Sequence, residues 1–184
     1  VTRDKGTLTL KGIAAAEVTN TDELTLCEAV FDGVFMELEP EEIVGVCSAF
    51  VFPEKAWSPE EIVDATPNLA KARKRVDDLH VELEKKQTQY RVAYDSEDFW
   101  KMCHFGFAET AYRWACGETF NDIMATSHMQ EGTIVRVMVR LEELMRKVRV
   151  AARLMHNQNL MERIDKAGEL IKRDVVFAAS LYVE

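Results

Sequence analysis

The chain has 184 residues, 47% of them apolar, and a net charge of −9. That is long and apolar enough for one domain with a real core, and too apolar for a disordered chain. No run reaches the roughly 18 apolar residues of a membrane-spanning helix, no secretory signal opens the chain, and the acidic balance argues against a free-standing nucleic-acid binder.

The chain starts with Val rather than Met, so a mature product or an excerpt from a longer protein is expected. Residues 1–20 are rich in Thr, Val and Ala, and "TLTLKG" reads as a short strand or extended lead-in. From Thr21 to residue 184 the signals are those of one helical domain. Thr21 or Asp22 can cap a helix that reaches Phe31, with Gly33 just beyond it. "EPEEIVGVCSAF" puts Pro40 near a first helical position with acids in the first turn. "SPEE", from Ser58 to Glu61, is a capping box. "TPNLAKARKRVDDLHVELEKKQTQY" is a long charged helix with Leu69, Val76, Leu79 and Leu83 as its apolar seam.

Ser96 can cap "EDFWKMCHFGFAETAYRWAC", which Gly117 ends. This helix holds Phe99, Trp100, Phe105, Phe107, Tyr112 and Trp114 and is expected at the centre of the core. Its aromatics fall on several faces, which favours core over a base-stacking platform. "TFNDIMATS" is a short helix, Glu131–His156 a long one, and "NLMERIDKAGELIKRDVV" a last one before the tail "FAASLYVE". The expected fold class is all-α, a bundle of about eight helices with one long central helix.

Charge is uneven. Residues 131–184 carry +2 and residues 1–130 carry −11; within 136–153 six basic residues face two acidic ones. At about 100° per residue, Arg136, Arg140, Glu143 and Lys147 fall within roughly 40° of one line along the long helix. Ile134, Met138, Leu141, Met145, Val148, Ala152 and Met155 form the opposite seam. Val137 and Leu144 border the stripe on one side, Val135 and Val139 on the other. A narrow strip with packed flanks would look into a groove or channel. Two readings stand: a solvated face with Arg140 and Glu143 paired, or a basic strip that touches a polyanion. A third is a helix-turn-helix outline in "TFNDIMATSHMQEGTIVRVMVRLEEL", with Thr133, Arg136 and Arg140 on the would-be recognition helix.

Catalytic signatures are absent: no GxxxxGK[ST], GxSxG or HExxH occurs. His80, His104, His128 and His156 form no recognisable triad. Cys27, Cys47, Cys103 and Cys116 lie far apart and suggest a reduced intracellular protein without zinc. No catalytic residue, metal ligand or cofactor is expected in this segment.

"LKGIAAAEV", "DELTLCEAVFDGVFMELEPEEIVGVCSAFVFPE", "AYRWACGETFNDIM", "EGTIVRVMVRLEEL" and "ELIKRDVVFAASLY" follow one another in this order. Together they resemble the C-terminal helical (DSHCT) domain of superkiller-type, exosome-associated DExH-box RNA helicases, over nearly the whole chain. The resemblance implies a parent enzyme that moves along RNA 3′ to 5′, with ATP and Mg bound in its RecA-like domains. It implies that the long helix lines the RNA path, with Arg140 and Glu143 facing RNA, Arg136 one turn earlier on the same stripe, and Lys147 continuing it. Glu54, in "FVFPE", matches another acidic position near that path. Implied partners are single-stranded RNA, the RecA-like domains, tetratricopeptide- and WD-repeat subunits of a superkiller-like complex, and the exosome. "EGTIVR" and "FAASLY" are closer to the cytoplasmic superkiller branch than to the nuclear one. The alternative is a stand-alone all-α interaction module built around the helix-turn-helix-like pair.

Overall fold

The computed structural model describes residues 2–3, 7–18, 21–52, 62–92, 103–127 and 129–173. Among these residues the fold is all-α apart from a two-residue hairpin pairing, Thr2–Arg3 with Thr7–Leu8. The helices are α1 (Leu10–Glu17), α2 (Glu23–Asp32), α3 (Pro40–Ser48), α4 (Pro67–Gln89), α5 (Ala108–Ala115), α6 (Phe120–Thr126), α7 (Glu131–Leu154) and α8 (Gln158–Leu170).

Helix α3 sits at the centre. "PEEIVGVCS" is apolar nearly all round, and every residue of it except Glu41 is buried. Helices α5, α8, α7 and α4 pack around it. Gly45 permits the closest of these approaches. A Cβ there would lie 3.1 Å from Leu69 Cδ2 and 3.2 Å from the Ala108 carbonyl.

The only charge buried on α3 is Glu42, 5% exposed. Its carboxylate accepts from the Glu39 backbone N–H at 2.9 Å, completing a capping box. It also accepts from the Thr66 hydroxyl at 2.6 Å and from Asn68 Nδ2 at 3.3 Å. Thr66 is the N-cap of α4 and its oxygen accepts from the Leu69 N–H at 3.1 Å. One carboxylate therefore ties the starts of two helices together.

The caps of α2 follow the sequence: Asp22 accepts from the Thr25 N–H and Gly33 closes the helix at φ 89°. Asn157 caps α8. Asp22 is itself buried, beside His80 of α4 at 3.4 Å, and Thr25 lies 3.3 Å from the same ring nitrogen, so α2 and α4 share a polar contact inside the core. Leu69, Val76, Leu79 and Leu83 are buried along α4, as their spacing predicts.

Three expectations change. Residues 1–20 are not all an extended lead-in, because Thr9 caps α1 from Leu10 onward. The helix expected from Ser96 to Cys116 is broken. His104 is extended, its N–H donates to the Ala49 carbonyl at 2.8 Å, and its ring accepts from the Gly106 N–H. A 3-10 turn at Phe105–Phe107 follows before α5 begins. The central helix is α3, with Phe105, Phe107 and Trp114 packed around it in the core. The "SPEE" box, Phe99 and Trp100 lie outside the described residues, as does the tail.

The last described helix, α8, and the residues just after it are held by polar locks. Arg163 Nη1 donates to the Met36 and Leu38 carbonyls at 2.9 and 2.7 Å. Arg173 stacks on the Trp114 ring and donates to the Trp114 and Glu118 carbonyls, and Trp114 Nε1 donates to the Ile171 carbonyl at 3.1 Å. Glu42→Ala strips partners from buried groups on both α3 and α4, and is expected to lower unfolding free energy by about 3 kcal/mol in a urea titration. A loss within error of zero would show that the carboxylate ties nothing together.

Candidate nucleic-acid interface

Helix α7 is 24 residues long and lies against α8, α1, α3 and α2. Ile134, Met138, Leu141, Met145, Val148 and Ala152 are buried on its inner side, as the seam predicts, and Met155 is partly buried. That burial turns the stripe outward. Arg136, Arg140 and Glu143 are exposed and Lys147 is partly so. The three cations span about 16 Å of helix.

The stripe is not a narrow slot. Val137 and Leu144 pack on one side. On the other, Val135 is only partly buried and Val139 is 49% exposed. Exposure continues past them to Arg146 and Arg153, so the outer face covers about half the helix circumference.

The pairing also differs from the expected one. Glu143 lies 3.4 Å from Lys147, an i,i+4 pair with side chains 57% and 18% exposed, rather than bonding Arg140. Arg146 pairs with Glu142 at 2.6 Å, Glu142 also meets Lys172 at 3.2 Å, and Arg149 pairs with Asp165 at 2.5 Å. The Asp165 carboxylate holds the Arg149 proton more firmly than usual. Among the described residues Arg136 donates only to Thr133 Oγ1 of its own helix, at 3.2 Å. Arg140 has no hydrogen-bond or ion-pair partner among the described residues. Two guanidinium groups, with their flat fork of donors, are thus available to an anion on the outer face.

Glu54 lies outside the described residues. Thr133 is buried, 6% exposed, and α6 packs on α5, so the helix-turn-helix outline does not present the surface a recognition helix needs. Burial and then the neighbouring Glu28, Glu23 and Asp22 push the Cys27 thiol up to about 12. Burial raises Cys47, and burial followed by Asp22 and Asp77 raises Cys103. None of the three is an activated nucleophile. Among the described residues no three His, Cys, Asp or Glu side chains are grouped to hold a metal ion.

The fold is a helical bundle whose long outer helix carries two available arginines, and the chain belongs to the DSHCT (NUC185) domain family, whose model matches residues 5–178. It is 42% identical over 175 residues to the DExH-box ATP-dependent RNA helicase DExH11 of Arabidopsis thaliana. It is 38% identical over 176 residues to the antiviral helicase SKI2 of Saccharomyces cerevisiae, and 34% over 174 residues to the exosome RNA helicase MTR4 of Homo sapiens. Each alignment covers 95% of this chain but only 13%, 14% and 16% of the respective relative. No described helix is long and apolar enough to cross a membrane.

Glu143→Gln removes one carboxylate partner of Lys147 and adds a positive unit to the face. It is expected to tighten binding of a single-stranded polyanion and to steepen its salt dependence, by about 0.7 in the log–log slope per added phosphate contact. An unchanged slope in a salt titration with oligouridylate would mean that Lys147 does not reach the polyanion.

Proposed function

We propose that the chain is the C-terminal RNA-guiding helical domain of an ATP-dependent 3′–5′ RNA helicase that feeds RNA to the exosome for decay. The observation that carries this reading is Arg140, exposed and without a partner among the described residues, on the long helix of a DSHCT-family chain. Relatives that match it along 95% of its length are named as DExH-box, antiviral and exosome RNA helicases.

In this reading Arg140 and Arg136 donate to phosphates of a single strand that passes along α7. The Glu143–Lys147 pair neutralises a third cation, which keeps the grip weak enough for the strand to slide. Glu54 is a further acidic position beside the path. ATP and Mg are bound by the parent protein's RecA-like domains and supply the driving hydrolysis; no residue of this segment performs it. The partners are single-stranded RNA, those RecA-like domains, tetratricopeptide- and WD-repeat subunits of a superkiller-like complex, and the exosome. The compartment is the cytoplasm, on the strength of "EGTIVR" and "FAASLY".

Two results test this. The native gene is expected to encode GxxxxGK[ST] and a DExH box upstream of Val1, and a native protein without them would remove the motor. In the full-length protein, Arg140→Glu is expected to slow RNA unwinding by about ten-fold or more, because a charge-assisted phosphate contact becomes a repulsion. ATPase activity without RNA should persist. Unwinding at the wild-type rate would refute the assignment of α7 to the RNA path.

A further inference from the structure

Helix α4 outruns the bundle it packs on. Its last buried residue is Leu83, and Tyr90 lies about 10 Å further along the axis. Lys85, Lys86 and every residue from Thr88 to Val92 are exposed. Tyr90 is 74% exposed, more than any other large apolar side chain among the described residues, and Val92 is 52% exposed. The tip is nonetheless a closed structure. The Arg91 N–H donates to the Thr88 carbonyl at 3.1 Å and the Val92 N–H to the Gln87 carbonyl at 3.0 Å, the two bonds of a Schellman motif. That motif holds Arg91 at φ 53°, where Gly is favoured and an arginine adds backbone strain. His156 ends α7 at φ 54°, but His is among the types enriched in this conformation and Arg is not. The helix dipole accounts for a cation in the last turn, Lys86, but for neither Arg91 in that conformation nor a bare tyrosine ring. Among the described residues the side chains of Lys85, Lys86, Tyr90 and Arg91 have no hydrogen-bond or ion-pair partner.

We propose that this tip docks a short acidic segment of a partner protein. Tyr90 packs against an apolar side chain of the segment, and Lys85, Lys86 and Arg91 pair with carboxylates on either side of it. Lys86 and Tyr90 are four residues apart and share a helix face, so a cation and the ring meet the segment together. Tyr and Arg are the residue types that carry most of the binding energy at protein interfaces, and an exposed rim of lysines steers an oppositely charged partner. Charge favours a short segment over a nucleic acid. A polyanion carries a phosphate at every step and gains affinity by many contacts. Past the tip it would run onto Asp77, Asp78 and Glu82, all exposed on the same helix, in a region where the first 130 residues carry −11. Two or three carboxylates flanking one apolar residue need only the tip.

The test uses the full-length protein and three fluorescein-labelled probes. They are the peptide Asp-Glu-Asp-Phe-Asp-Glu-Asp, the same peptide with Lys at every acidic position, and oligouridylate. The acidic peptide is expected to bind and the basic one not to, with affinity falling as salt rises. Tyr90→Ala is expected to weaken the acidic peptide about ten-fold. Arg91→Gly is expected to weaken it about five-fold without lowering the melting temperature, because Gly suits φ 53° better than Arg does. That pair of readings separates binding from folding, since an arginine kept for the fold would lower the melting temperature when lost. No binding of the acidic peptide by the wild type would overturn the proposal, as would equal binding by the wild type and both variants. A lowered melting temperature for Arg91→Gly would overturn the role of Arg91. Loss of oligouridylate affinity in both variants, with the acidic peptide unbound, would assign the tip to RNA and overturn the proposal as well.

Discussion

A helix buried on every side dictates the rest of this bundle. Helix α3 has almost no polar surface, so it must be surrounded, and α4, α5, α7 and α8 surround it. Gly45 lets two of those neighbours come within van der Waals reach of its backbone. Its one buried charge, Glu42, serves its own N-terminus and the N-cap of α4 at once, so the carboxylate is fully hydrogen-bonded rather than stranded. Burying the inner seam of α7 against this centre leaves Arg136, Arg140 and Glu143 no direction but outward. The candidate interface is thus the remainder left by core packing, and its rigidity comes from the core behind it.

Periodicity made the strongest elements readable. The seam of α4 repeats with the helical spacing over about four turns and that of α7 over about six, and the cap at Asp22 marks a start by side-chain chemistry alone. The break at residues 103–107 was not readable in that way. Helix-compatible residues surround it, and the cause is tertiary: the His104 N–H finds the Ala49 carbonyl, which no local pattern encodes. The centrality of α3 was hidden for the same reason. An aromatic-rich segment looks more core-like than "IVGVCS", yet small residues are what allow four neighbours to close on one short helix.

The stripe itself was readable, its edges were not. A helical wheel assigns Val135 and Val139 to a packed flank by hydrophobicity, but whether a flank packs depends on a neighbour that the wheel does not contain. Nothing among the described residues covers Val139 enough to bury it. Partner choice within the stripe is equally non-local in origin. Glu143 has Arg140 and Lys147 both within a turn, and rotamer and burial settle it on Lys147, whose partly buried stem holds the ammonium close to the helix surface. Arg163 and Arg173 carry no sequence signature at all, because their acceptors are backbone carbonyls more than 50 residues away.

The charge arithmetic of α7 bears on how it can work. Of its six cations, Arg146, Lys147 and Arg149 have carboxylate partners. Among the described residues Arg136, Arg140 and Arg153 have no carboxylate partner, in a chain whose first 130 residues carry −11. Each phosphate contact is screened by salt, and a face with two or three of them holds a strand only weakly. Weak holding suits a guide. A strand that must advance step by step has to break every contact it makes on each step, and contacts stronger than the motor's stroke would stall it. A face with fully released cations would bind better and move worse. On the function proposed above, the carboxylates of Glu142, Glu143 and Asp165 would set the grip as much as the arginines do, because they neutralise three of the six cations of α7.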